Sequence, residues 1–259
     1  NEVEEEREPQ ERRGRQVEPE ATQQEVELVE RLRDQLGPIE EVVADEPGGG
    51  PEATGDGNVR AINAIKTSPA ISFLIEERPI SVVNFGEGSS IATYDDLEYT
   101  FNFETALTAG EPRSRIASQV LKVSRDTTHT FIVRGPLANP IIDIWERPVP
   151  EFAEGATNFE IQVGHLAESF GDVDVYLADP APPPVPGSAL GTLSFGEQLP
   201  VSSLEAGDYV LTLTAPGDVN TVIFESVSVP LPAGSALMFV AFDSDGRDVA
   251  PVSMELFNM

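Results

Sequence analysis

The chain has no cysteine and only two histidines. Without cysteine it can form no disulfide, carries no thiol nucleophile and offers no thiolate to zinc or to an iron–sulfur cluster. The two histidines, His129 and His165, leave little imidazole for catalysis or metal binding. Thiol chemistry is therefore excluded, and histidine chemistry is confined to two positions.

Basic residues are also scarce. The 259 residues include 16 Lys and Arg against 45 Asp and Glu, which gives a formal net charge of −29. A surface this negative repels the phosphates of nucleic acids, so we expect no nucleic-acid binding. No apolar run approaches the roughly 20 residues of a membrane-spanning helix, so we expect no transmembrane segment. The chain length alone predicts one to two domains.

The first 57 residues differ from the rest of the chain. They contain 18 acidic and 6 basic side chains and no aromatic residue, so we expect an acidic and mostly disordered spacer. Thr22 and Glu25 have the spacing of a capping box, and apolar residues on one face predict a short helix over about 22–36. A Gly- and Pro-rich linker follows. The helix is either a spacer or a docking element for a partner.

Beyond residue 57 the hydrophobic period changes to two. Apolar and polar residues alternate in Ile71–Ile75 and in Tyr99–Phe103, as in strands that are buried on one face. No helical stretch separates the candidate strands, so crossover helices for parallel pairing are missing. The sequence therefore predicts an all-β fold with antiparallel sheets.

A repeat sets the predicted number of domains. Phe85-Gly86-Glu87 precedes Tyr99 by the same step with which Phe195-Gly196-Glu197 precedes Tyr209, and both tyrosines begin an alternating strand. Upstream, Asn63 corresponds to His165. Two copies of about a hundred residues have the size of tandem immunoglobulin-like β-sandwiches. We predict one domain over 58–150 and another over 151–259, with a proline-rich insertion at 180–186; a single larger sandwich or barrel is the alternative.

These motifs resemble a bacterial family of secreted or envelope-anchored repeats, the domain of unknown function numbered 4397. The resemblance rests on His165 followed by Val173-Asp174-Val175-Tyr176, on Arg60-Ala61-Ile62-Asn63, and on the Phe-Gly-Glu and Ala206-Gly207-Asp208-Tyr209 stretches. It covers most of residues 58–259 and none of the acidic segment. The first copy departs from the pattern with Ser72 where the second has Asp174. The resemblance implies an immunoglobulin-like or transthyretin-like sandwich outside the cell, with no assigned enzymatic activity.

Two clusters are candidate sites. His165 and Asp174 together would make an imidazole–carboxylate pair, which is either a structural hydrogen bond or two members of a hydrolytic triad; no Gly-x-Ser-x-Gly motif accompanies them. The acidic loop that contains Asp243, Asp245 and Asp248 offers oxygen ligands to Ca²⁺, although an ordinary Asp-Gly hairpin turn explains the same residues.

Charge is distributed unevenly between the two copies. Residues 58–150 contain 9 basic and 11 acidic groups, whereas residues 151–259 contain 1 and 16. This asymmetry suggests head-to-tail association, in which basic residues of the first domain meet the acidic domain of another copy. The candidate contacts are Arg113, Arg115, Lys122, Arg125 and Arg134. The single tryptophan, Trp145, is either a surface aromatic or part of a domain junction.

Together these patterns predict a non-catalytic extracellular or cell-envelope protein with no cofactor. Its partner is another protein or a second copy, with which it forms a filament or a surface layer. The alternatives are a secreted hydrolase that uses His165 and Asp174, and a calcium- or carbohydrate-binding module.

Overall fold

A computed structural model describes residues 55–106, 112–178, 185–244 and 251–259. These residues form seventeen strands and no helix, so the all-β prediction is confirmed. The first eight strands are β1 Gly57–Asn63, β2 Ile71–Ile75, β3 Arg78–Val83, β4 Ala92–Tyr94, β5 Glu98–Thr105, β6 Ser114–Lys122, β7 Thr127–Arg134 and β8 Ile141–Pro148. The others are β9 Asn158–Leu166, β10 Val173–Ala178, β11 Gly191–Leu193, β12 Ser202–Glu205, β13 Gly207–Ala215, β14 Asp218–Glu225, β15 Val229–Leu231, β16 Ala236–Asp243 and β17 Val252–Asn258.

The strands form four sheets, two in each copy of the repeat. In the first copy, which we call domain 1, the sheets have the orders β4-β1-β7-β8 and β3-β2-β5-β6. In the second copy, domain 2, they are β12-β9-β16-β17 and β11-β10-β13-β14, with β15 also pairing with β13. Each domain is thus a two-layer sandwich with the same strand order. In both, the first two strands lie in different sheets, whereas the constant-type immunoglobulin order keeps them in one.

Alternating side chains from both sheets fill each sandwich. In domain 1 the core is aromatic, and the rings of Phe101 and Phe131 have centroids 4.5 Å apart. Phe73 stacks between Phe101 and Phe103. In domain 2 three of the equivalent positions are aliphatic, Val175, Leu211 and Leu213, whereas Phe239 lies where domain 1 has Phe131. Burial of apolar area on one face of every sheet is what fixes the register of the strands.

One feature of the pairing corrects the sequence analysis, which predicted antiparallel sheets. β1 pairs in parallel with β7, from Asn58↔Thr128 to Asn63↔Val133, and β9 pairs in parallel with β16. Helical crossovers are unnecessary here because the chain returns through the opposite sheet of the sandwich before it pairs. The other strand pairs of the described residues are antiparallel.

The turn that carries Phe-Gly-Glu has the same structure in both domains. The N–H of Gly86 donates to the carbonyl of Asn63, and the N–H of Gly196 donates to the carbonyl of His165. Both glycines have positive φ, 76° and 88°, a backbone conformation that other residues adopt at a cost. Glycine at this position of the motif is therefore a backbone requirement of the turn.

Each domain also contains a tyrosine that closes the corner before its alternating strand. The Tyr209 hydroxyl donates to the carbonyl of Glu205 at 2.7 Å, and Tyr99 hydrogen-bonds the backbone of Asp95. Both bonds reach back four residues, which is the geometry of the tyrosine corner in Greek-key sandwiches. The repeated tyrosine is thus explained by a structural role.

Two predicted features lie mostly outside the described residues. Residues 1–54 of the acidic segment, including the predicted helix over 22–36, lie outside, as do residues 180–184 of the proline-rich insertion. Within the described part of the chain, no helix is long and apolar enough to span a membrane.

Candidate functional site

The inner sheets of the two domains, β4-β1-β7-β8 and β12-β9-β16-β17, pack on each other. Their strands bury one set of side chains inside each sandwich and present the alternate set to the other domain. Seven of these form a third apolar core, the junction core: Ile62, Ile132, Trp145, Leu166, Met238, Val240 and Phe242. The domains are therefore stacked as four layers, with β3-β2-β5-β6 and β11-β10-β13-β14 on the outside.

Trp145 lies in this junction and is 6% exposed. Its six-membered ring rests on Gly164 of β9, where any Cβ would overlap it. Its indole N–H donates to the carbonyl of Gly196 at 3.3 Å. Trp145 is therefore part of the domain junction and not a surface aromatic, which was the other interpretation of the sequence.

A buried arginine occupies the other end of the junction. Arg60 is 2% exposed, donates to the hydroxyl of Thr130 and the carbonyl of Asn258, and contacts the sulfur of Met238. Its guanidinium also lies 5.4 Å from the ring centre of Phe257. Burial, and then repulsion from Arg147, lowers the pKa of Arg60 to about 10, so it stays charged at neutral pH. The hydroxyl of Thr130, the carbonyl of Asn258 and the ring face of Phe257 stabilise this buried cation.

Arg147 forms the ion pair of the junction. It is 5% exposed and donates to Glu160 of β9 at 2.7 Å and to the sulfur of Met259 at 2.8 Å. Burial lowers the pKa of Arg147, while attraction to Glu160 opposes that shift. Domain 1 thus inserts two arginines into the junction, and Glu160 of domain 2 forms an ion pair with one of them, Arg147.

The junction is roughly two-fold symmetric. The ring of Phe85 meets that of Phe242 edge-on, with centroids 6.0 Å apart. At the equivalent place in the other half, Phe195 is covered by the guanidinium of Arg134 at 5.2 Å. Such reciprocal contacts are typical of an isologous interface between identical subunits. The duplicated domains are packed as a homodimer would be, within one chain.

A cleft of about 600 Å³ opens at one end of the junction. Its walls include Arg60, Gly88, Ser89 and Phe257, together with the carboxylates of Glu87 and Glu255. The second domain has Gln198, Leu199 and Pro200 in place of Gly88, Ser89 and Ser90. The residues of domain 2 are larger. The cleft therefore forms on the side of domain 1, where the side chains are smaller. The cleft thus combines acidic and hydroxyl-bearing residues with one aromatic ring, a lining suited to a small polar ligand.

His165 and Asp174 do not bond to each other. The His165 Nε2–H donates to the carbonyl of Gly171 at 2.9 Å, and its Nδ1 accepts from the N–H of Ala167. Asp174 accepts from the hydroxyl of Thr192 and from the N–H of Gly217. Alternation turns Asp174 to the outer face of its sheet, away from the loop of His165. The predicted pairing is therefore wrong, although both residues pin loops.

The other histidine is equally engaged. His129 accepts from the N–H of Ser124 at Nε2 and pairs through Nδ1 with Glu146 at 3.1 Å. Both ring nitrogens of both histidines thus bond to protein groups. Burial lowers the pKa of His165, which holds its ring neutral. Neither ring has a nitrogen left to activate a nucleophile.

Of the three candidate calcium ligands, the structure describes only Asp243. It is 5% exposed, and both of its carboxylate oxygens accept from the N–H of Ser169. Asp245 and Asp248 lie outside the described residues. Among the described residues, no group of three His, Asp or Glu side chains is placed to hold a metal ion.

Four of the five basic residues predicted as assembly contacts have carboxylate partners close by. Arg115 pairs with Glu77 and Glu104, Lys122 with Asp96, and Arg125 with Asp56. Arg134 pairs with Asp143 and covers Phe195 across the junction. Arg113 is exposed beside β6. Three of the five thus have carboxylate partners in domain 1 at exposed positions, and Arg134 belongs to the junction.

Sequence reasoning missed the two junction arginines. Arg60 and Arg147 stand at alternate positions of strands whose other face is buried, and such positions are normally solvated. The available signal was Arg60 within the apolar run of β1, flanked by Val59 and Ala61. A charged residue between two apolar sequence neighbours in a strand indicates that the second face of the sheet is also buried.

Comparison of the chain with models of protein families found no match, and comparison with curated proteins found none either.

Proposed function

We propose that the protein is a non-catalytic structural or adhesive module that acts outside the cell or in the cell envelope. The observation that carries this proposal is the stacking of two duplicated sandwiches through a buried core, which joins the domains and leaves two outer sheets exposed. An assembly module needs extended faces and usable strand edges, whereas an enzyme needs a pocket in which polar groups converge on a reacting atom.

The state of the histidines supports the non-catalytic part of the proposal. An enzyme that used His165 as a base would need a free ring nitrogen within reach of a nucleophile. Both nitrogens are engaged with the backbone of Ala167 and Gly171. Screening the full chain against ester and peptide substrates should show no turnover. Turnover that is lost in His165→Asn, while the fold is kept, would overturn the proposal.

The head-to-tail form of assembly stays a prediction. It is supported by the charge difference between residues 58–150 and 151–259. Contacts driven by exposed charges weaken as salt rises. Sedimentation of the full chain at low salt should therefore show open-ended growth that high salt reverses. A single small species at every concentration and salt would contradict it.

A small polar ligand is a second candidate function, which the junction cleft favours. Acidic side chains, serine hydroxyl groups and one ring wall can bind sugar hydroxyl groups. Titration with a panel of oligosaccharides should give a heat that Ser90→Trp abolishes by filling the cleft. No heat with any member of the panel would remove this candidate.

A further inference from the structure

We propose that β6 is a dimerisation edge, at which the β6 strand of a second copy adds in antiparallel orientation. This inference deepens the proposed self-association by adding an isologous contact, separate from the head-to-tail contact and dependent on backbone hydrogen bonds. Edge strands present a row of N–H and C=O groups to any strand of suitable shape. The question is which edges of the outer sheets are open.

The edge of domain 2 that corresponds to β6 is blocked. One step along β13, from Thr214 to Ala215, corresponds to four steps along β14, from Val222 to Asp218. The extra residues bulge from the edge, and the Asp218 carboxylate accepts from Thr221 and from the N–H of Asn220. A bulge of this kind prevents a strand from pairing there.

The opposite edge of the domain 1 outer sheet is also blunted. β3 has Pro79, which has no N–H to donate, and its pairing with β2 shifts register beside Leu74. Both devices are common protections of edge strands.

β6 lacks these protections over most of its length. From Ala117 to Lys122 its register with β5 is unbroken, and no strand of the described residues lies beyond it. Residues 116–121 include no charge, proline or glycine. Apart from the bonds that pair the strands, the carbonyl of Val120 accepts one hydrogen bond, from the side-chain amide of Gln119 at 2.9 Å. This bond is exposed to solvent. An incoming strand can replace that bond.

Electrostatics select a second copy as the occupant. β6 belongs to the near-neutral domain, which has 9 basic and 11 acidic groups in residues 58–150. Its end charges are compensated, Arg115 by Glu77 and Lys122 by Asp96. Two copies can therefore approach through this edge with little repulsion, whereas the acidic domains of two copies repel each other.

Self-complementarity also favours β6 against β6. Val120 is 52% exposed on the outer face of its sheet, so its side chain is accessible to a partner strand. An antiparallel pair centred on Val120 brings the two valines together and sets Lys122 opposite Ser118 of the other copy. Within the residues of β6 that overlap in this register, 118–122, no like charges face each other, and the β-branched pair contributes to sheet stability.

Charge substitution at the centre of the pair tests the proposal. Val120→Lys would place two ammonium groups opposite each other, so we expect dimerisation to weaken about tenfold or more. Val82→Lys is the matched control, because Val82 is also 52% exposed and lies on the opposite edge strand of the same sheet. The measurement is sedimentation velocity of the full chain in 0.5 M NaCl, where long-range repulsion is screened.

We expect dimers for the native chain and Val82→Lys, and monomers for Val120→Lys. A native chain that stays monomeric at high concentration would overturn the proposal, as would dimers that persist in Val120→Lys. Open-ended growth at low salt without the dimer in 0.5 M NaCl would reject β6 and retain the proposed self-association. No association under any condition would count against both.

Cysteine cross-linking tests the register independently. The chain has no cysteine, so a single introduced thiol has no competitor. Directly opposed residues of antiparallel strands have Cα atoms about 4.5–5.5 Å apart, within the range of a disulfide. Under mild oxidation Val120→Cys should form a covalent dimer and Val82→Cys should not. Equal yields from the two variants would contradict the proposed register.

Discussion

Domain 1 and domain 2 share one strand order but differ in what they contribute to the junction. Domain 1 supplies the tryptophan and both buried arginines, Trp145, Arg60 and Arg147. Domain 2 supplies Gly164, on which Trp145 lies, and the carboxylate of Glu160. The two halves of the junction are therefore complementary instead of identical, unlike the self-complementary patches of an isologous homodimer.

The two domains also differ in net charge. Domain 1 is almost neutral, whereas residues 151–259 have a single basic group against 16 acidic ones. The near-neutral domain can approach another surface, and the acidic one keeps the molecule apart from its copies.

The largest effect is expected from Trp145→Ala. The substitution leaves a cavity over Gly164 and removes the bond to the carbonyl of Gly196, so the free energy of unfolding should fall by about 3–5 kcal/mol. Phe257→Ala, at the equivalent position of domain 2, should cost less because Phe257 is only partly buried. Urea denaturation measures both. Equal costs would mean that the two halves of the junction are still energetically equivalent.

A smaller loss is expected from Glu160→Gln. The change keeps the size of the side chain but leaves Arg147 buried without its carboxylate, which should reduce stability by about 1–3 kcal/mol. The value is below that of a fully buried pair because Glu160 is 25% exposed. Glu154→Gln, at an exposed position between the domains, is the control and should change stability little. A loss no larger than that of the control would show that the ion pair does not hold the junction.

Removal of the corner hydroxyls should cost less again. Tyr99→Phe and Tyr209→Phe each delete one hydrogen bond to the preceding loop, so each should lower the free energy of unfolding by about 1 kcal/mol. Tyr94→Phe is the control, since Tyr94 packs on the ring of Tyr99 and its hydroxyl bonds to no described residue. A similar loss in Tyr94→Phe would assign the effect to the rings.

The smallest effect is a change in pH dependence. Burial lowers the pKa of His165 in the folded state, so the unfolded chain binds the proton more readily. The stability from the neutral ring is present above the unfolded pKa of about 6.5 and is lost as pH falls below it. His165→Asn installs the residue that domain 1 has at position 63 and should flatten this decline. Urea denaturation from neutral to acidic pH measures it; unchanged slopes would contradict the assignment.

The sequence predicted the fold because its signals are local. Alternation in Ile71–Ile75 and Tyr99–Phe103 placed strands correctly, and the Phe-Gly-Glu and tyrosine repeats gave equivalent positions that the strand registers follow. It failed where contacts cross sheets. The parallel pairing of β1 with β7 joins residues 70 positions apart, as in Asn58↔Thr128, and the partners of His165 and Asp174 depended on which face each side chain occupied.

The sequence by itself determined strand content, the duplication, the turn glycines and the uneven charge, because each depends on residues that are neighbours or regularly spaced along the chain. Only the tertiary structure decided that the outward faces of β1, β7, β8, β9 and β16 are buried against each other. That burial depends on shape complementarity between two sheets, such as Trp145 over Gly164. No periodicity within one strand records what will cover its second face.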